Sequence, residues 1–140
     1  MSQTKVLVVE DDLLVLRLSS DSLEHDGLDV VEAETADQAA EILRAADANI
    51  SVVFADIKTP GRLSGLDLAQ VAHDRWPTIL VILTSGVAVP ILSALPDRTR
   101  FLPKPYDLQK LAKLIKALVG TWRLEPRIED VAGAAPMPVR

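Results

Sequence analysis

The residues of this chain best suited to chemistry are acids that each follow a short apolar run. Val6-Leu7-Val8-Val9 leads into Glu10-Asp11-Asp12, and Val52-Val53-Phe54-Ala55 leads into Asp56. Two further runs behave alike: Ile79-Leu80-Val81-Ile82-Leu83 ends in Thr84-Ser85-Gly86, and Arg100-Phe101-Leu102 precedes Pro103-Lys104-Pro105. Apolar runs of this length, bounded by turn residues, are the pattern of strands buried on both faces of a parallel sheet. In such a sheet the strand ends converge on one edge, and ligands bind just beyond them. Glu10, Asp11, Asp56, Thr84 and Lys104 are therefore expected to share a pocket. Clustered carboxylates repel one another unless a cation compensates. An all-oxygen donor set without His or Cys suits a hard cation, and Mg²⁺ usually takes one or two carboxylates, waters and a phosphate. The competing reading is that each acid merely starts a turn, as Asp often does. Repetition at four separate strand ends counts against it.

The segments between these runs supply the elements that must position them. After Asp12 a helical pattern places Leu13, Leu16 and Leu23 on its apolar side and stops at Gly27. A second strand is expected at Asp29–Ala33. Thr35-Ala36-Asp37-Gln38 reads as a capping box opening an Ala-rich helix to about Ala46. A helix from about Leu66 to Asp74 follows Pro60-Gly61 and closes at Trp76-Pro77. Between Val87 and Leu95 a short or irregular helix is expected, because Pro90 fits only a first helical turn and Pro96 must end it. Asp107 caps a last helix with Leu108, Leu111, Ala112, Ile115, Leu118 and Val119 on one stripe, and Gly120 is expected to end it. Five strands alternating with five helices imply an α/β protein with a parallel sheet covered on both sides by right-handed crossovers.

Bulk composition excludes several functions. At 140 residues the chain suits one domain. The sequence is 49% hydrophobic but only 4% aromatic, so the core must be aliphatic. A net charge of −5 argues against a face that binds duplex DNA, which needs a basic stripe. Without cysteine there is no disulfide, thiolate nucleophile or zinc-thiolate site. The first apolar run stops at Glu10, too short for a signal peptide, and no stretch approaches the roughly 20 apolar residues of a membrane span. A cytoplasmic location is the expectation. His25 and His73 fall at charged helix ends and read as surface residues, and Trp76 reads as packing over the sheet's rim. Gly61, Gly65 and Gly86 do not form a phosphate-cradling motif. Residues 1–121 are expected to form the domain and 122–140, proline-bearing and without periodicity, for the most part a flexible tail, with Trp122 and Leu124 open to attachment on the last helix.

Val8-Val9-Glu10-Asp11, Asp56 with Pro60 four residues on, Thr84-Ser85-Gly86 and Lys104-Pro105, in this order and at these intervals, resemble the receiver domain of two-component response regulators. The resemblance covers about residues 4–120 and is closest to the stand-alone chemotaxis type. It implies a flavodoxin-like fold, (βα)5, with a doubly wound five-stranded parallel sheet in three α/β/α layers. It also implies that Asp56 accepts a phosphoryl group from the phosphohistidine of a sensor histidine kinase or phosphotransfer protein. By the same resemblance Asp11 binds Mg²⁺ directly, Glu10 binds it mainly through water, and the Lys58 backbone carbonyl adds a ligand. Thr84 hydrogen-bonds a phosphoryl oxygen, Lys104 pairs with the phosphoryl group or with Asp56, and Phe101 is the switch aromatic that moves from exposed to buried. The Lys104–Pro105 bond is often cis in this family.

Further expectations are signalling through an unknown downstream protein, no direct DNA or membrane contact, and a monomer or weak homodimer. Thr59 stands where the family usually has Met, and the loop from Asp56 to Gly65 is one residue longer than in the chemotaxis regulator. A phosphate sink, a receiver-like scaffold that is not phosphorylated, and an aspartate-nucleophile hydrolase are the alternatives. The last is disfavoured because its Asp-x-Asp-x-Thr pattern should follow the first strand. Phe101 as an ordinary core residue also remains open.

Overall fold

The computed structural model describes residues 4–45, 49–87 and 95–124. Its strands are β1 (Lys5–Val9), β2 (Asp29–Ala33), β3 (Val52–Asp56), β4 (Leu80–Ser85) and β5 (Thr99–Pro103). All pair in parallel, in the order β2-β1-β3-β4-β5. Among the described residues there are four helices: α1 (Leu13–His25), α2 (Ala36–Ala45) and α3 (Gly65–Arg75) connect successive strands, and α4 (Leu108–Leu124) follows β5. The helix expected between Val87 and Leu95, with Pro90, lies largely outside the described residues.

The strands form here because their residues can be buried on both faces. Every position of β3 and β4 is buried. Alternate side chains feed two cores: Leu7, Val9, Val53, Ala55, Val81 and Leu83 pack with α2 and α3. On the other face Val6, Val8, Val52, Phe54, Leu80 and Ile82 pack with α1 and α4. Small residues let α2 and α3 lie close to the sheet, since Ala36, Ala39, Ala40, Ala69 and Ala72 are all buried. The chain winds outward on both sides of β1, so the strand order reverses between β1 and β3. A crevice opens beyond the C-terminal ends of strands at such a switch point.

Helix ends follow local chemistry. Asp12, third of the acids after β1, caps α1 by accepting from the N–H groups of Leu14 and Val15 at 3.0 and 3.2 Å. The expected stop at Gly27 is met: its φ is +90°, Gly27 N–H donates to Glu24 O and Leu28 N–H donates to Leu23 O, a Schellman closure. Thr35 accepts from Gln38 N–H as expected, but Gln38 Oε1 accepts from Glu34 N–H at 2.7 Å, one residue before the cap. A complete reciprocal box instead opens α3, between Ser64 and Asp67.

Three expectations need correction. Leu13 is 59% exposed, because the buried face of α1 runs through Leu16, Ser19, Ser20 and Leu23. His73 is half-buried rather than solvated, with its Nδ1 enclosed. Helix α4 continues through Gly120 to Leu124. An interior glycine costs a helix only about 1 kcal/mol against alanine, and the first proline after it is Pro126. The helix thereby takes in positions 122 and 124, which the sequence left open to it.

Candidate functional site

Backbone pairing continues past the strand ends and fixes the first residues beyond them. Glu10 N–H donates to Ala33 O, Ile57 N–H to Thr84 O and Lys104 N–H to Ser85 O, at 3.0, 2.8 and 3.0 Å. Each candidate side chain is thus carried on backbone still held by the sheet. Asp56 closes β3 opposite Thr84 and is buried, as is Glu10.

The carboxylates are tied on both oxygens. Asp56 Oδ1 accepts from Lys58 N–H at 3.0 Å, and Oδ2 accepts from Lys104 Nζ at 2.7 Å. Glu10 Oε2 accepts from Asp12 N–H at 3.1 Å, and Oε1 lies 3.6 Å from Lys104 Nζ. Burial pushes the Glu10 carboxyl above its ordinary range; the Asp12 N–H and Lys104 oppose this, while the charges of Asp56 and Asp11 add to it. Burial alone would lower the Lys104 ammonium, but its hydrogen bond to Asp56 and the charges of Asp56 and Glu10 leave it raised and firmly protonated. The Lys104–Pro105 bond is cis.

The structure therefore brings Glu10, Asp56, Thr84 and Lys104 together. Asp11 is exposed at the mouth, where it lines a cleft of about 550 Å³ with Lys58, Thr59 and Arg62. Thr84 is buried, and its Oγ1 has no hydrogen-bond partner among the described residues. Phe101 is 3% exposed within the core that also holds Leu83, so the ring stands at the buried end of its expected swing.

The two buried acids Glu10 and Asp56 share the Lys104 ammonium, while Asp11 stands exposed at the mouth. Among the described residues no three acids form a ready-made metal cage. Two carboxylates, a mouth acid and a loop carbonyl nonetheless match the open oxygen set that Mg²⁺ takes when waters and phosphate complete its shell.

Sequence reasoning passed over Tyr106. Its ring meets Phe54 edge-on at 5.4 Å between centroids, and its hydroxyl hydrogen-bonds Ser19. An aromatic two residues beyond Lys104 was the available signal. Tyr106, Pro105 and Leu108 face Val15 and Leu18 of α1 across an apolar groove of about 480 Å³ that reaches Lys104.

A doubly wound parallel sheet with buried acids and a lysine beyond its strand ends puts a charged pocket at the edge where α/β proteins of this class bind ligands. The receiver-domain model of response regulators matches residues 6–116, and the chain belongs to that family. Phosphoacceptance is the family's standard function, and its acidic pocket generally binds Mg²⁺. The chain is 28% identical over 129 residues to a putative NtrX-like response regulator of Rickettsia felis, covering 89% of this chain and 27% of the relative. It is 31% identical over 117 residues to the sensor kinase CckA of Brucella abortus, covering 81% of this chain and 12% of the kinase. A CheY-like receiver domain protein from Methanospirillum hungatei superposes with a TM-score of 0.78 at 26% identity, over 89% of this chain and 99% of the other. The chain thus spans well under half the length of these two curated relatives.

Proposed function

We propose that Asp56 is the phosphoacceptor of a receiver that signals by a phosphorylation-driven change of shape. The observation that carries this reading is the 2.7 Å pair between Lys104 Nζ and Asp56 Oδ2, at a carboxylate held on the last residue of a central strand. An oxygen of Asp56 forms the new bond to phosphorus as the bond from phosphorus to a donor imidazole nitrogen breaks, and the freed imidazole leaves with the partner. Phosphoryl transfer of this kind needs in-line positioning and charge compensation more than covalent help.

Lys104 compensates the equatorial oxygens, and the unpartnered Thr84 hydroxyl donates to one of them. Glu10, Asp11, Asp56 and the Lys58 carbonyl are the groups to hold Mg²⁺, which when bound supplies further charge compensation. Drawing Thr84 toward the phosphoryl group biases the packing around Phe101, a local electrostatic event read out by packing. Moving a two-state population from mostly inactive to mostly active takes about 5.5 kcal/mol.

The donor on this reading is a sensor histidine kinase or phosphotransfer protein, met in the cytoplasm. The apolar groove beside Lys104 supports a protein partner, since Leu18 on its α1 side is 52% exposed. Among the described residues no helix is long and apolar enough to cross a membrane. Acetyl phosphate with Mg²⁺ tests the assignment: intact mass should show one added phosphoryl group, absent in Asp56→Asn. Unchanged phosphorylation of Asp56→Asn refutes it.

A further inference from the structure

The loop from Ile57 to Ser64 is held from outside by Asp37, a half-buried residue in the first turn of α2. Its Oδ2 accepts from Arg62 N–H at 2.8 Å and its Oδ1 from Leu63 N–H at 3.0 Å. Thr59 makes a second tie: its hydroxyl accepts from Ala36 N–H and donates to Leu63 O, both at 3.2 Å. Gly61, at φ +109°, leaves room for this arrangement, because a Cβ there would run into the Asp37 carboxylate. The near end of the same loop carries Lys58, whose N–H is bonded to Asp56 Oδ1. One segment is thus fastened to α2 at its far end and to the site carboxylate at its near end.

Bonds from backbone N–H to a carboxylate are charge-assisted and roughly twice as strong as neutral ones. Such a clamp suits a loop whose tip, Pro60 to Arg62, is exposed. We propose that Asp37 is a positioning residue for Asp56: by clamping the far half of the loop it fixes the Lys58 peptide against the site carboxylate. This rests on the reading of Asp56 as the phosphoacceptor.

The test uses the full chain, with Asp37→Ala removing both acceptors, Asp37→Asn leaving one, and Thr59→Val breaking the other tie without changing charge. Amide hydrogen exchange at Lys58, Arg62 and Leu63 is read by NMR, and phosphorylation by acetyl phosphate with Mg²⁺ by intact mass. In Asp37→Ala the maximal rate should fall about tenfold, as small misplacements of reacting groups do, with the half-saturating donor concentration little changed. Exchange at Lys58 should rise about tenfold, the mark of a local opening, and Asp37→Asn should fall between. Faster exchange confined to Arg62 and Leu63, with Lys58 and the rate unchanged, overturns the proposal. If Asp37→Ala does not fold, Asp37→Asn and Thr59→Val decide by the same criterion. If the wild-type chain takes no phosphoryl group, the reading of Asp56 fails, while exchange at Lys58 still decides whether the clamp reaches the site.

Discussion

Lys104 Nζ lies 2.7 Å from Asp56 Oδ2 and 3.6 Å from Glu10 Oε1, so one ammonium serves carboxylates from two neighbouring strands. The lysine reaches them from beyond β5, over the end of β4. Its alkyl stem rests beside Gly86, where a Cβ would lie 3.7 Å from Lys104 Cβ and Cδ. Lys104→Met keeps the stem and removes the charge, leaving two buried carboxylates facing each other. Breaking a buried pair costs about 3–5 kcal/mol, but the lysine side chain is 31% exposed, so solvent screening brings the expected loss to about 2 kcal/mol. Chemical denaturation measures it. Millimolar Mg²⁺ should restore part of the loss through mass action, and a midpoint insensitive to the substitution contradicts the shared-ammonium picture.

Glu10 sets a pH dependence of definite sign. Its folded pKa is raised, chiefly by burial, so in the window just above the ordinary carboxylate value the folded state holds more protons than the unfolded one. Stability therefore falls as pH rises through that window. Lys104 adds no slope there: its raised pKa gives a contribution that is complete below the ordinary lysine value and lost only as pH rises through the higher folded one. Glu10→Gln should be more stable than wild type at pH 7, with an advantage that shrinks as pH drops toward the ordinary carboxylate value. Denaturant titrations across that range measure this, and an advantage that grows on acidification reverses the assignment.

Gly65 begins α3 where it crosses the end of β3. Its N–H donates to Ile57 O at 2.7 Å, and a Cβ would stand 2.5 Å from Asp56 O and 2.8 Å from Ile57 Cα. These are backbone atoms held by the sheet, so they cannot yield as a flexible side chain does. Gly65→Ala should destabilise by about 1–3 kcal/mol, the usual cost of forced overpacking. Slower phosphorylation should accompany it, because the displaced peptide carries Asp56. A Gly65→Ala protein with wild-type melting temperature shows that α3 can ride outward freely.

The strands and the site were legible because their signals are local. Val52 to Asp56 reads as a strand end within five residues, and the sheet's topology brings its carboxylate to Glu10 and Lys104. Gly27 was legible as a stop because the helix's apolar pattern ends there. Gly120 carries the same letter, yet α4 runs through it, since nothing in the next few residues opposes a helix. The Asp37 clamp was not legible: its partners lie 25 and 26 residues away, and backbone donors leave no mark in side-chain type. Tyr106 escaped notice because its partners Phe54 and Ser19 sit on other elements. The buried setting of Phe101 was one of two open readings, and no periodicity in so short a strand separates them.

Thr84 separates stability from signalling. Its Oγ1 is buried opposite Asp56 and finds no partner among the described residues, and an unsatisfied buried hydroxyl costs about 1–3 kcal/mol. Thr84→Val replaces that hydroxyl with a methyl group of similar size, so the unphosphorylated protein should gain about 1 kcal/mol. Thr84→Ser keeps the hydroxyl and opens a methyl-sized gap, so it should lose about 1 kcal/mol instead. The order reverses once Asp56 is phosphorylated, because only a hydroxyl can donate to the new oxygens. Thr84→Ser should keep the phosphorylation-dependent shift of the Phe101 ring resonances, and Thr84→Val should lose most of it while still accepting the phosphoryl group. If Thr84→Val keeps the full Phe101 response, the signal does not pass through this hydroxyl, and the orphaned Oγ1 is a cost without a function.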